Sequence, residues 1–320
     1  MTISPDFPAF SATYEAGKPQ LVWTKLVADL ETPVSAYIKL ADGRANSFLL
    51  ESVEGGSVRG RYSMIGFKPD VIWRCVKGQA EINRNARTDA HTFEKLPGRP
   101  LETLRVLIRE CQMDLPAGLP PMASGLFGFL GYDMVRDMER LPDKNPDPIG
   151  LPDAIMVRPT IVCIFDRLED QVTLVTPVWP QAGTSARAAY EAATERLADA
   201  VSDFERSLPA RRDAGDLPDA LPTPQPNMSE ADFKQMVETC KEYIRAGDAF
   251  QIVPSQRFSV PFKLPPLSLY RSLRRINPSP FLIFFDYGDF QIVGSSPEAL
   301  VRLAGREASP AATAALNHSC

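Results

Sequence analysis

Apolar positions in the first half of the chain recur every second residue in short runs broken by Gly, Asn and Asp, the pattern of strands joined by turns. SAYIKL (35–40), SFLLES (47–52), RYSMIGF (61–67), DVIWRCV (70–76) and QAEINR (79–84) read as strands. In SFLLES the alternation puts Leu50 and Ser52 on one face and Leu49 and Glu51 on the other. The period then changes. Pro100 opens PLETLRVLIRECQM (100–113), where Leu101, Leu104, Leu107, Ile108 and Cys111 fall at helical spacing. TIVCIFD (160–166) and QVTLVTPVW (171–179) return to strand, and a helix over 185–206 carries Tyr190, Leu197, Val201 and Phe204 on one side.

LPARRDAGDLPDALPTPQPN (208–227) is rich in Pro, Asp and Ala and poor in large apolar residues, which marks a linker. It divides the chain into an N-terminal domain, 1–207, and a second domain beginning at 228 and running to 307. In that second part Ser229 reads as an N-cap, Phe233, Met236, Val237, Cys240, Tyr243 and Ile244 form a helical stripe, and Gly247 stands where a helix ends. Strands are expected at AFQIVPSQRFSV (249–260), FLIFFDY (281–287), FQIVGS (290–295) and ALVRL (299–303). Strands come in runs instead of alternating with helices, so the expected class is α+β with sizeable antiparallel sheets.

Charge and rare residues narrow the chemistry. A net charge of -5 without any basic stripe argues against nucleic acid as a partner. No run of eighteen apolar residues predicts a membrane span, and MTISPDFPAF has neither the basic start nor the apolar core of a secretory leader. Five scattered cysteines form no CxxC pair, read as reduced, mostly buried thiols, and make the cytoplasm the expected compartment. The two histidines, His91 in a polar loop and His318 near the end, leave little material for a Ser-His-Asp triad or a His-ligated zinc. Catalysis would have to run on carboxylates, backbone dipoles or a substrate held by Mg²⁺.

Three stretches stand out. GLFGFLGYDMVRDMER (125–140) has glycines but no Gly-Lys-Ser, and its plainer reading is a strand whose glycines permit close backbone packing, with Asp133, Arg136 and Glu139 pairing nearby. AGDAFQIVPSQRF (246–258) couples a helix stop to a strand, with Gln251, Ser255, Gln256 and Arg257 clustered along it; a core strand and a polar site at its end remain equally open. In INPSPFLIFF (276–285), Pro278 and Pro280 flank Ser279 and hold the backbone extended, leaving carbonyls without competing N–H groups. Such a segment suits either a stiff turn or a ligand with an N–H donor and an aromatic ring.

LLES, GDAFQIVPSQRF, NPSPFLIFFDYGDFQIVGSSPEALVR and GYD together resemble anthranilate synthase component I, a chorismate-utilising family of tryptophan biosynthesis, over residues 20–306. The resemblance implies a fold of two orthogonal antiparallel β-sheet layers with outer helices, a partner glutamine amidotransferase subunit (component II) that supplies ammonia, and Mg²⁺. It implies amination of chorismate at C2, loss of the ring hydroxyl and elimination of pyruvate. It also implies inhibition by L-tryptophan, at positions matching Ser52, Pro280, Phe281 and Leu282. Around these, Leu50, Phe281 and Leu282 are expected to enclose an indole, with Ser52, Glu51 and the carbonyls of Pro278, Ser279 and Pro280 at its polar ends, and Arg61 on the carboxylate. Many relatives carry Tyr-Met where this chain has Phe281-Leu282, which keeps the apolar wall and removes a hydroxyl. Tryptophan would then bridge the domains on either side of the linker.

The family's later segments, a Gly-Thr-Arg stretch, a glutamate-histidine pair, an Arg-Asn-Asp stretch and a Gly-Ala-Pro-Lys turn, are those that hold chorismate and Mg²⁺, and none is in this sequence. No catalytic residue is therefore assigned, Glu298 included, and the expectation is an inactive fragment of the family with its second half incomplete. ASPAATAALNHSC (308–320) lacks alternation and turn chemistry and is expected to be an off-pattern tail, as from a frameshift or premature stop, with His318 and Cys320 holding nothing. The alternatives are aminodeoxychorismate synthase component I and a non-catalytic module that binds tryptophan or a partner.

Overall fold

The structure is a computed structural model that describes residues 1–52, 60–120, 122–209, 222–304 and 307–309. The described chain divides into two compact units, Met1–Ala210 with Leu269–Cys320, and Arg211–Ser268. The larger unit carries α1 (Phe7–Glu15), β1 (Gln20–Val27), α2 (Pro33–Leu40), β2 (Ser47–Glu51), β3 (Tyr62–Val76), β4 (Gln79–Asn83), β5 (Glu94–Lys95), α3 (Pro100–Glu110), β6 (Phe127–Leu130), β7 (Ala154–Asp166), β8 (Gln171–Val178) and α4 (Ala186–Glu205). The smaller unit holds β9 (Gln225–Pro226), α5 (Glu230–Ala246) and β10 (Phe258–Ser259). Helix α6 (Pro266–Ile276) follows; from Leu269 onward it belongs to the larger unit, with β11 (Phe281–Asp286), β12 (Gln291–Ser296), β13 (Arg302–Ala304) and β14 (Glu307–Ser309).

Ten strands of the larger unit form one antiparallel sheet in the order β1-β8-β7-β3-β2-β11-β12, with β4 and β5 attached beyond β3 and β6 beside β7. The class is α+β, as the strand runs imply. The runs expected at 61–67 and 70–76 are one strand, β3, and the strand expected from 160 starts at Ala154. Both long strands pass through a register shift at Pro69, which stands opposite Pro159. Proline gives no ladder N–H, and an irregularity is where a sheet tolerates one.

Three elements differ outright from the sequence expectation, and the strand expected at 299–303 forms only as Arg302–Ala304. Residues 35–40 are helix, not strand: Thr32 Oγ1 accepts the Ser35 N–H at 3.1 Å, Ser35 Oγ accepts the Thr32 N–H at 2.8 Å, and Pro33 opens the first turn. This reciprocal cap outweighs the apparent alternation and buries Ala36, Tyr37 and Leu40 together. Of the strand expected at 249–260 only Phe258–Ser259 forms, paired with Gln225–Pro226. Among the described residues 249–257 pair with no other strand, and a strand is stable only through its neighbours. The tail expected from 308 is ordered at its start, where Ala308 pairs with Leu303 and Ser309 with Arg302; residues 310–320 lie outside the described residues, as does most of the linker.

The three helices that the spacing predicts, α3, α4 and α5, form where it places them, while α1 and α6 were not expected. α3 buries Leu104 and Leu107 over Trp73, Cys75 and Ile82, while Ile108 is left exposed. α4 buries Leu197 and Phe204, joined by Ala189, Ala193 and Ala200, small residues that the reading by large side chains passed over. α5 begins at the Ser229 cap, 3.1 Å from the Asp232 N–H, and ends on Gly247 at φ 85°. Cys75, Cys111 and Cys163 are buried free thiols, as the scattered cysteines suggested.

Candidate functional site

β2 and β11 are 230 residues apart in sequence and adjacent in the sheet: Leu282 faces Glu51, Ile283 faces Leu50, Phe284 faces Leu49 and Phe285 faces Phe48. LLES and NPSPFL, singled out separately in the sequence, therefore end side by side. Both belong to the larger unit, so a ligand held between them does not bridge two domains as expected. The linker composition gives no hint that the chain returns to complete the first sheet.

Residues directly opposite in an antiparallel pair share a face, and this sorts the expected site. Leu50 and Ile283 lie with Phe48, Phe127 and Phe285 on one face; strand alternation puts Ser52 and Phe281 on the same side. That side is half-open, with Phe281 41% exposed. Glu51 and Leu282 lie on the opposite face with Phe284, which meets the rings of Tyr37 and Tyr270. Leu282 is 1% and Glu51 3% exposed, so neither shares a surface with Leu50. Ser279 is buried, Pro280 is half-buried and Pro278 is exposed. The end of β12 fixes their approach: Ser295 Oγ donates to the Asn277 carbonyl at 2.7 Å.

Glu51 is the polar centre of the buried side. Its Oε2 accepts from Tyr270 Oη at 2.6 Å and from Arg274 Nε at 2.8 Å, and its Oε1 accepts from Arg274 Nη2 at 3.1 Å, with Arg167 Nη2 3.6 Å away. Burial, and then the adjacent Glu51, push the Tyr270 hydroxyl far above the usual phenol range, so it stays a donor. Tyr270, Arg274 and Arg167 were missed in the sequence. The available signal was the i, i+4 pair Tyr270 and Arg274 on the helix leading into NPSP, beside a strand that carries a lone acid among apolar residues.

Arg61 is engaged elsewhere. Its Nε and Nη2 reach both oxygens of Asp166 at 2.6–3.0 Å, and its guanidinium lies 4.9 Å from the Tyr62 ring centroid. The Arg61 bond holds the Asp166 carboxyl below its usual range.

The glycine stretch is a packing device, as its plainer reading holds. Gly128 pairs with Met156, and a Cβ there would overlap the Ile155 carbonyl. Arg136 pairs with Asp133, and with Asp143 in place of the expected Glu139. Among the described residues no three of His, Cys, Asp and Glu gather in a way that could hold a metal ion. The paired strand ends offer an apolar face beside a hydroxyl and a rigid carbonyl segment, which suits binding a flat apolar group.

Comparisons with known proteins identify the family. Residues 45–312 match the family described as chorismate binding enzyme. The chain is 53% identical to anthranilate synthase component 1 of Cereibacter sphaeroides, over 94% of this chain and 60% of that protein. It is 39% identical to anthranilate synthase component 1 of Pseudomonas putida, over 87% of this chain and 55% of that protein. The crystal structure of anthranilate synthase component I from Streptococcus pneumoniae superposes with a TM-score of 0.60 at 28% identity, over 86% of this chain and 57% of that one. The chain thus spans at most 60% of the length of these relatives. The match covers both strands of the candidate site and helix α6: the chain belongs to the chorismate binding enzyme family.

Proposed function

We propose that this chain forms part of an anthranilate synthase component I, the enzyme that converts chorismate and ammonia to anthranilate and pyruvate with a glutamine amidotransferase partner, and that L-tryptophan inhibits that enzyme by binding at the paired ends of β2 and β11. Magnesium and a cytoplasmic setting belong to the same reading. The observation that carries it is the pairing of Glu51 with Leu282, which brings the strand ends leading to Ser52 and from Pro280-Phe281 side by side, in a chain 53% identical to an anthranilate synthase component 1. Indole would lie against Leu50, Phe281 and Ile283, with the Ser52 hydroxyl and the prolyl carbonyls taking the ammonium. Residues 1–207 then carry the regulatory half, and β11 and β12 supply its last two strands.

The test is incubation of the chain with chorismate and ammonia, read by anthranilate fluorescence, alongside calorimetric titration with tryptophan. Anthranilate formation that tryptophan suppresses supports both parts. Tryptophan binding without anthranilate supports the regulatory site and reduces the chain to a binding module of the family. An aminated product that keeps its enolpyruvyl group would move the chain to the aminodeoxychorismate branch. Neither product nor binding overturns the proposal.

A further inference from the structure

The buried side of the same strand pair has no place in that ligand site, yet it holds the most heavily bonded carboxylate of the region. Glu51 is the last residue of β2, and its backbone lies opposite Leu282. Its side chain points the other way from Ser52 and accepts from two residues one turn apart on α6, Tyr270 and Arg274. α6 ends at Ile276, with the Asn277 N–H bonded to the Leu273 carbonyl at 2.8 Å, and the chain enters NPSP at once. The rigid segment is therefore anchored at both ends on one residue: through the helix before it and through the strand after it. Two prolines stiffen what lies between, so movement of α6 is passed on to Pro280 and Phe281.

We propose that Tyr270 and Arg274 are positioning residues that, through Glu51, set the Pro280-Phe281 segment against Ser52 and so fix the geometry in which tryptophan is bound. Glu51 in this role touches α6, not the ligand. The inference rests on the tryptophan reading for its ligand, and on the Glu51 contacts alone for its mechanics. The packing around these bonds favours a strut over a surface ion pair. Tyr270 is 0% exposed, with its ring 5.7 Å from that of Phe284, which in turn lies 5.4 Å from Tyr37. Hydrogen bonds to a buried carboxylate are the strong ones, because the alternative is an unsatisfied charge in a low-dielectric site.

The test uses the 320-residue chain and its Tyr270→Phe, Glu51→Gln, Arg274→Lys and Arg274→Ala variants. Amide exchange by mass spectrometry follows 281–285, with 20–27 of β1 as the distant reference, and calorimetry follows tryptophan affinity. Tyr270→Phe removes only the hydroxyl; it should speed exchange over 281–285 and weaken tryptophan binding, each about tenfold, with β1 unchanged. The double variant with Glu51→Gln should lose less than the product of the single losses, since both remove one bond. Arg274→Lys, which keeps the charge, should fall between the unmodified chain and Arg274→Ala. Because Arg274 is 30% exposed, its variants remain informative where Tyr270→Phe fails to fold. Unchanged exchange over 281–285, or a uniform increase that includes β1, overturns the strut whatever tryptophan does. If exchange responds locally and the unmodified chain binds no tryptophan, the strut stands and the ligand reading falls.

Discussion

Arginine pairing settles much of the chemistry at the residue scale. Arg158 grips both oxygens of Asp70 at 2.8 Å, lies 4.4 Å from the Trp179 ring centroid, and reaches Cys111 Sγ at 3.6 Å. Its side chain is 14% exposed, so Arg158→Ala should cost about 3 kcal/mol by stranding Asp70, measured by denaturant unfolding. Arg158→Met, which keeps the packing, should cost less. Arg61 and Asp166 show the opposite regime. The Asp166 carboxyl is lowered by the Arg61 bond, so its contribution is present above the unfolded carboxylate value near ~3.9 and lost as pH falls through the lower folded value. Asp166→Asn should therefore be less stable than the unmodified chain at pH 6, with the gap closing in acid. The difference should be small, since Arg61 is 38% exposed and solvent screens the pair. Melting temperatures between pH 2.5 and 6 check the sign. Residue types in the sequence marked Leu50, Ser52 and the prolines as binding candidates. They could not separate Glu51 and Leu282 from them, because an alternating strand shows which residues share a face and not which face a helix covers. Nor could they show that Arg61 already has Asp166.

At the scale of elements, spacing located α3, α4 and α5, whose stripes of apolar residues bury against the molecule or lie along one side of the helix. It misread 35–40, where the helix depends on three residues, Thr32, Pro33 and Ser35, placed before and within an otherwise alternating run. A Ser in the third helical position completes that cap, where the familiar signature has Glu or Gln. The segment 249–257 was misread for the reverse reason: its alternation is real, but strand formation is a property of two segments. Gly128 gives the sharpest element-scale prediction. A methyl group there meets the Ile155 backbone, which cannot swing aside as a side chain would. Gly128→Ala should destabilise by about 2 kcal/mol and loosen β6 from β7, seen as faster amide exchange at 127–130 and 154–157.

At the scale of the whole molecule, the sheet does not respect the linker. A Pro-, Asp- and Ala-rich stretch was read as the end of a domain, yet β11 and β12 come after it and complete the sheet built from β1–β3, β7 and β8. Composition reports where the chain is poor in core residues; it says nothing of where the chain goes next. This return pairs Leu282 with Glu51, and the proposed tryptophan site at those strand ends depends on it. The most direct measurement is thermal unfolding of the 320-residue chain with and without millimolar L-tryptophan, beside a Ser52→Phe variant. At a hundredfold excess over the dissociation constant, binding should raise the melting temperature by about 5 °C in the unmodified chain. Ser52→Phe, which fills the apolar face with its own ring, should show no rise. A melting curve that tryptophan leaves unmoved, or a rise of equal size in both proteins, would contradict tryptophan binding at the ends of β2 and β11.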